Sequence, residues 1–293
     1  MMQKRFPSVS VPKGEWSILA VLFARHRKTG EEVPLVLSTG VKCLNAKDII
    51  RDEKTGLKVT VSDMHSEALA RRGFNLLLLD MIEGDSCKKE AKLDLLIYDK
   101  EKGTWRFNKE SFELGLFISH GPCGDATIDR YNYTNENESV VKERDEVSPP
   151  TKKVKVLQSA ALALDVIRGR NEPSRTNVIR TKPGRTDSIP TCSMSCSDKI
   201  CLWNHCGLQG SLLSYLIPEP IRLDKIQIAS SGFCRKSMIR CIIERFSSSN
   251  GHNCILESVS VDKESFSPPE IPGSLNPCAS ATILLLDLNS GIS

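Results

Sequence analysis

The sequence predicts an α/β protein with a three-layer core, in which helices cover both sides of a sheet. Two observations predict this class. Apolar, β-branched runs of strand length alternate with runs that begin at capping residues and continue with helical spacing. Hydrophobic residues make up 40% of the 293 residues, which is enough for a buried core. Strands that feed helices in this order are typical of a layered α/β core rather than a helix bundle or sandwich. We predict a single domain over residues 1–293.

The chain is predicted to begin with a β-hairpin. The apolar runs Trp16–Arg25 and Val33–Ser38 predict two strands, and the polar residues Lys28–Gly30 between them predict the turn. Two further strands are predicted at Leu95–Tyr98 and Leu114–Ser119.

Helix starts are predicted where a capping residue precedes apolar residues at helical spacing. Ser62 and Asp63 are good caps, Pro122 suits the first turn of a helix, and Ser195–Asp198 supplies caps for another. The predicted elements are a helix that begins just before His65, a helix from Cys123, a helix from Ile200 to about Leu216, and a strand over Ile221–Ala229.

A long polar insertion is predicted at residues 131–177, where the chain turns polar and mixed in charge. We expect it to be mobile. Within it, Lys152–Lys155 is either a nuclear-import patch or a solvated lysine run.

Charge, targeting signals and cysteine content indicate where in the cell the protein is expected, but say little about its activity. The net charge of +4 is compatible with a polyanionic partner but too small to identify one. No secretory signal and no apolar stretch of membrane-spanning length is visible. We therefore expect a cytoplasmic or nuclear protein that is not secreted, with its eleven cysteines serving as buried thiols and metal ligands.

Three potential metal ligands lie at predicted helix starts. His65 is followed two positions later by Glu67, and Cys123 follows a proline, but Ala126 stands where a nucleobase deaminase would have its second cysteine. Cys196, just ahead of the third helix, is a distant replacement. A histidine and two thiolates would give zinc three ligands and leave one position open for water.

A rival interpretation uses the later cysteines as a structural zinc site. Its ligands would be Cys192, Cys196, Cys201 and either His205 or Cys206. Their spacings are not those of the usual ligand pairs.

The ordered motifs His65-Ser66-Glu67, Pro122–Asp125 and Ser195–Lys199 resemble those of the adenosine deaminases that act on tRNA and on double-stranded RNA. Ser66 stands where alanine is commoner. The tRNA branch is favoured by Thr181–Arg185 and by the absence of a double-stranded-RNA-binding domain. Other matching segments are Glu15-Trp16, Ser38–Cys43, Trp203-Asn204, Gly207, Gln209-Gly210 and Pro218–Pro220.

The resemblance implies a cytidine-deaminase-like three-layer α/β/α core around zinc, held by His65, Cys123 and Cys196. Glu67 would transfer protons during hydrolytic deamination of adenosine to inosine. The implied target is the adenosine 3′ of the anticodon, position thirty-seven, of alanine tRNA. The implied partner is tRNA, with no DNA and no membrane, and we expect a monomer.

The resemblance also implies a buried inositol hexakisphosphate. Its matching positions are Arg71, Arg72, Lys199, Trp203 and Gln209, with Asp63 and Lys199 linking the site toward the zinc. The alternative is that these are snorkelling surface residues. Phosphates that flank the target base would be held by Lys42, Lys182 and Arg185.

Two other functions stay open at this point. One is a catalytically impaired RNA-binding relative or truncated isoform, and the other is a deaminase of other RNAs or nucleosides. The first is kept open because the chain ends soon after the apolar run 281–286, where the family continues with a segment rich in lysine and tyrosine. We therefore expect a carboxyl-terminally incomplete domain that holds inositol hexakisphosphate weakly.

Overall fold

The structure is a computed structural model, which describes most of the chain outside the two termini and the predicted insertion. The described residues are 11–45, 61–86, 93–129, 166–182, 189, 191–246, 253–261, 266–268, 276–278 and 280–285. The strands are β1 (Glu15–Trp16), β2 (Leu19–His26), β3 (Glu32–Thr39), β4 (Val41–Cys43), β5 (Asp63–His65), β6 (Leu96–Asp99), β7 (Thr104–Phe107), β8 (Phe112–Ile118), β9 (Val166–Arg168), β10 (Ile179–Thr181), β11 (Lys225–Ala229), β12 (Ile255–Val259), β13 (Asn276–Pro277) and β14 (Thr282–Leu285). The helices are α1 (Ser66–Ser86), α2 (125–129), α3 (Cys196–Cys206), α4 (Gly210–Leu213) and α5 (Arg235–Met238), and α5 continues through a π turn, Ile239–Ile243, into a 3₁₀ turn, Glu244–Phe246.

A six-stranded mixed sheet forms the centre, in the order β12-β11-β8-β2-β3-β14. The neighbours β2 and β3 are antiparallel, as the predicted hairpin requires, while β8, β11 and β12 run parallel. Strands that are buried on both faces read as continuous apolar runs, which explains why β2 and β8 were visible in the sequence. The α/β class is confirmed.

Helix α1 packs against β2, β3 and β14, and α3 contacts both α1 and the π turn after α5. Apolar side chains from these elements form one core cluster, in which Phe74, Leu77 and Leu78 of α1 are almost fully buried. This packing fixes the amino-terminal ends of α1 and α3 relative to the sheet.

The structure moves four of the predicted helix boundaries. Helix α3 begins at Cys196 rather than at Ile200. Helix α1 begins at Ser66 rather than before His65, because residues 63–65 pair with β4 as a short strand. The helical residues of α2 begin at 125 rather than at Cys123. Helix α3 ends at Cys206 rather than near Leu216, because Gly207 terminates it with a positive φ of 103°.

The predicted insertion lies mostly outside the described residues, and so does Lys152–Lys155. Its last part is described, however, since β9 pairs with β10 in parallel. The Arg180 side chain donates to the carbonyl oxygens of Gly169 and Asn171 in the connecting turn. The last part of the predicted insertion thus contains a strand, and the insertion itself stays a prediction. Among the helices that the structure describes, none is long and apolar enough to cross a membrane.

Candidate metal centre

The side chains of His65, Cys123 and Cys196 converge, although they are widely separated in the sequence. Their ligand atoms all lie within 4.8 Å of one another. The His65 Nδ1 atom is 3.9 Å from the Cys123 Sγ atom and 3.5 Å from the Cys196 Sγ atom. One imidazole and two thiols are donors that zinc prefers, and three protein ligands leave a fourth position for water. The donor set therefore fits a catalytic zinc ion.

Glycine allows the two cysteine-bearing turns to touch. Gly124 has a φ of 107°, in the left-handed region that disfavours side chains, and a Cβ atom there would collide with the Ser195 side chain. Ser195 caps α3, because its Oγ atom accepts a hydrogen bond from the Asp198 backbone N–H at 3.3 Å. The Cys196 backbone N–H donates to the Cys123 Sγ atom over 3.3 Å.

The electrostatic surroundings favour a thiolate at this centre. A hydrogen bond with Cys196 holds the pKa of the Cys123 thiol well below its usual range, and the positive charge of Lys182 acts in the same direction. Burial, by contrast, raises the pKa of the Cys196 thiol. Zinc binding requires the deprotonated form of both ligands, so it would release protons from this pair.

Glu67 lies in the first turn of α1, two positions after His65, and only 4% of it is exposed. The Ser66 Oγ atom donates to the Glu67 Oε2 atom over 3.3 Å. The Ser66 carbonyl oxygen in turn accepts from the Ser38 hydroxyl at 2.8 Å, which ties the start of the helix to β3. A buried carboxylate held beside a metal ligand is placed to exchange protons with a bound reactant.

Asp63, two positions before His65, accepts hydrogen bonds from several side chains near the metal centre. Its carboxylate accepts from the Lys182 ammonium at 2.8 and 2.9 Å, from the Ser193 hydroxyl at 2.9 Å and from the Lys199 ammonium. It also accepts from the His65 backbone N–H at 3.0 Å. Burial raises the pKa of Asp63, but the neighbouring cations outweigh it and hold the pKa below its usual range.

The prediction that Lys182 holds an RNA phosphate is wrong. The residue is 1% exposed, and its ammonium lies inside the protein on the Asp63 carboxylate. Burial lowers the pKa of Lys182, but the nearby thiols and carboxylates outweigh it and raise the pKa. Its position makes it an internal counter-charge to the metal centre instead.

A cationic cluster lies next to Asp63 and consists of Arg71, Arg72 and Lys199. The Arg71 guanidinium lies 5.2 Å from the centroid of the Trp203 ring and donates through Nε to the Leu208 carbonyl at 2.8 Å. Arg72 donates to the Asp63 carbonyl oxygen. Burial and the adjacent Arg72 charge lower the pKa of Arg71, as expected where cations collect without equal countercharge.

Gln209 does not join this cluster as a free donor. Its side-chain amide donates to the Ile217 carbonyl at 3.2 Å and to the Glu219 carbonyl at 2.9 Å, and its oxygen accepts from the Ile221 N–H at 2.9 Å. These bonds use both hydrogens of the Gln209 side-chain amide. The residue is buried, with 3% of its surface exposed. Gln209 therefore has a structural role in the loop before β11, and its contact with the cofactor stays a prediction.

The other two predicted RNA contacts have different outcomes. Lys42 lies in β4, where it is paired with Met64, the residue before His65, so it flanks the metal centre. Arg185 lies outside the described residues.

The rival structural zinc site does not assemble. Cys192 and Cys206 are exposed, whereas the Cys201 thiol is buried and lies 3.8 Å from the Ile242 carbonyl oxygen. Within the described part of the chain, His65, Cys123 and Cys196 form the one group of three or more potential metal ligands.

The sequence analysis assigned Asp125 and Asp198 no ion-pair partner, but both are buried and paired with arginines. Arg240 and Arg245 approach Asp125 at 3.2 and 3.5 Å, and Arg245 also contacts Asp198. The repeated Cys-x-Asp pattern of the two motifs was a usable signal for the aspartates. No local pattern marked the arginines, since 47 positions separate Arg245 from Asp198.

Comparison with known proteins agrees with this site. Residues 36–281 match the model of the adenosine-deaminase (editase) domain. A tRNA-specific adenosine deaminase 1 of Saccharomyces cerevisiae is 36% identical over 73% of this chain and 51% of its own length, and that of Drosophila melanogaster is 31% identical over 79% and 53%. The double-stranded RNA-specific editase B2 of Mus musculus is 29% identical over 73% of this chain and 27% of its own length. The chain thus spans about half the length of the tRNA deaminases that it matches.

Proposed function

Since this chain belongs to the adenosine-deaminase (editase) domain family, we propose that it hydrolyses adenosine to inosine in tRNA, with zinc as its metal. The convergence of His65, Cys123 and Cys196 beside the buried carboxylate of Glu67 carries this proposal. We also propose that the core is the three-layer, cytidine-deaminase-like arrangement expected from the sequence, in one domain.

Zinc, when bound, supplies a Lewis acid that makes water nucleophilic near neutral pH. Glu67 takes a proton from the attacking water and returns it to the base, so that the oxygen adds at C6 of adenine and the C6–N bond breaks with release of ammonia. His65, Cys123 and Cys196 would hold the metal, and Glu67 remains free for proton transfer. The net reaction consumes one water for each ammonia released.

We propose that the target is the adenosine at position thirty-seven of alanine tRNA, as the family resemblance implies. The names of the tRNA-specific relatives support tRNA as the substrate class. A base in a loop is cheaper to unstack and swing into a pocket than one in a duplex. Lys42, beside the metal centre, and Arg185 are proposed to hold the flanking phosphates.

A three-way assay tests this function. The purified, zinc-loaded protein is incubated in parallel with alanine tRNA, with a double-stranded RNA and with free adenosine, and inosine is measured in each. We expect inosine in the tRNA, at position thirty-seven. Inosine confined to the duplex would move the protein to the editase branch, and zinc without inosine in any substrate would support the impaired relative.

We further propose that inositol hexakisphosphate binds the cationic cluster formed by Arg71, Arg72 and Lys199, with Trp203 at its side. Lys199 shares the Asp63 carboxylate with Lys182, whereas Arg72 donates to the Asp63 backbone carbonyl oxygen and Arg71 to the Leu208 carbonyl oxygen, so the cluster carries an excess of positive charge. Burying such an excess is costly without an anion, and phosphate groups form the charge-assisted bonds that arginines favour. Asp63 and Lys199 would connect this anion to the metal centre.

The double variant Arg71→Met, Arg72→Met is expected to lose bound inositol phosphate. Two charge-assisted hydrogen bonds contribute together about 3 kcal/mol or more, so affinity is expected to fall about 100-fold. Phosphorus analysis of the purified protein measures the loss. Arg106→Met, which removes an exposed arginine paired with Glu110, is the matched control and should leave the phosphorus content unchanged. Equal phosphorus in the double variant and wild type, or none in either, would contradict this site.

A further inference from the structure

Buried aspartates lie two positions from each proposed zinc ligand: Asp63 before His65, Asp125 after Cys123, and Asp198 after Cys196. These carboxylates are between 0% and 5% exposed. A buried carboxylate is costly unless it is paired and hydrogen-bonded. The groups that pair with these aspartates therefore also restrain the backbone that carries the ligands.

Arg245 bridges two of the three aspartates. One terminal nitrogen of the Arg245 guanidinium, Nη1, pairs with the Asp198 carboxylate. The second terminal nitrogen, Nη2, lies 3.5 Å from the Asp125 carboxylate. The Nε atom donates to the Asn177 side-chain oxygen over 3.1 Å. The side chain is 13% exposed, so water screens these contacts only weakly. Arg245 therefore joins the turns that carry Cys123 and Cys196.

The segment 177–182 completes the network by contacting all three aspartates. Its contacts are the Asn177 N–H to Asp125 at 2.9 Å, the Arg180 N–H to Asp198 at 2.8 Å, and the Lys182 ammonium to Asp63 at 2.8 Å. Because Arg245 also donates to Asn177, one side chain connects both cysteine turns to the segment 177–182, which contacts Asp63 through Lys182.

We propose that Arg245 is a positioning residue, which fixes the spacing between the Cys123 and Cys196 turns and thereby slows the release of zinc. The inference rests on the proposed zinc centre. Arginine suits the role because its planar fork reaches two carboxylates at once, whereas a lysine ammonium is a single point charge. Residues that orient metal ligands typically contribute about 10-fold to 100-fold in metal affinity.

Arg240 offers a matched control. Its side chain is 15% exposed, close to that of Arg245, and it pairs with Asp125 at 3.2 Å and Asp129 at 2.8 Å. Both of these partners lie in α2, so Arg240 stabilises the helix that follows Cys123 without reaching the Cys196 turn. Arg240→Gln therefore removes a similar buried ion pair and leaves the bridge in place.

The experiment compares the zinc-loaded wild type with Arg245→Gln, Arg245→Lys and Arg240→Gln. Zinc release to an excess of chelator gives the rate, and the thermal midpoint of the metal-free proteins gives stability. We expect release about 10-fold faster or more in Arg245→Gln, an intermediate rate in Arg245→Lys, and a rate within about threefold of wild type in Arg240→Gln. Both glutamine variants should lower the midpoint, so stability alone cannot produce the pattern. If Arg245→Gln does not fold, the inference is tested by comparing the rate of zinc release from Arg245→Lys with that from Arg240→Gln.

Failure of the proposed zinc centre and failure of the Arg245 inference would give different results. A wild-type protein that holds no zinc would overturn the proposed metal centre and this inference with it. A zinc-loaded wild type whose Arg245 variants release zinc no faster than Arg240→Gln would overturn this inference alone.

Discussion

Glu67→Gln is expected to reduce inosine formation in tRNA by about 100-fold to 10,000-fold, the usual contribution of a general acid and base. The glutamine amide keeps the volume of the buried side chain but cannot carry the proton between water and the leaving ammonia. Because Glu67 is not one of the three converging ligands, zinc content and thermal midpoint should stay near those of the wild type. Single-turnover deamination and elemental analysis of the same preparation measure both quantities.

Glu83→Gln is the control for this variant. Glu83 is exposed near the other end of α1, so its replacement should leave activity unchanged. If Glu67→Gln retained activity within a fewfold of wild type while still holding zinc, the proton-transfer role would belong to another group.

Cys123→Ala and Cys196→Ala are each expected to remove zinc and, with it, deamination. Either change leaves two protein ligands, too few for a stable catalytic site of this type. The wild type should retain about one zinc per chain after dialysis against a mild chelator, and each variant close to none. Elemental analysis gives the zinc content, and the inosine assay on tRNA gives the activity.

Cys201→Ala serves as the matched control for the ligand variants. Cys201 lies in the same helix as Cys196 and is almost fully buried, but it takes no part in the ligand group. Its replacement should cost some stability by creating a small cavity, while zinc content stays at the wild-type value. Full zinc in both ligand variants would show that the metal binds elsewhere in the protein.

Some elements of the fold follow from local sequence signals, and others depend on pairing with distant segments. Strands β2 and β8 and the cap of α3 at Ser195 follow from short stretches of sequence, because apolar runs and capping residues act over a few positions. The start of α1 could not be predicted from local sequence, because residues 63–65 form a strand with β4, which lies about 20 positions earlier in the chain. Pairing across the chain overrode the local helix signal.

For the site, the sequence motifs and the family resemblance proposed His65, Cys123, Cys196 and Glu67 as a group, because histidine and cysteine are residue types that zinc prefers, and the structure brings the first three together. Only the tertiary structure decided the roles of the charged residues around them. Lys182 and Gln209 read as surface or cofactor contacts in the sequence, yet one is a buried counter-charge to Asp63 and the other holds a loop. The bridge from Arg245 to Asp125 and Asp198 had no local signal at all. The physical reason is that the partners of a charged side chain are set by packing between distant segments, whereas caps, apolar runs and ligand motifs are set by neighbours in the chain.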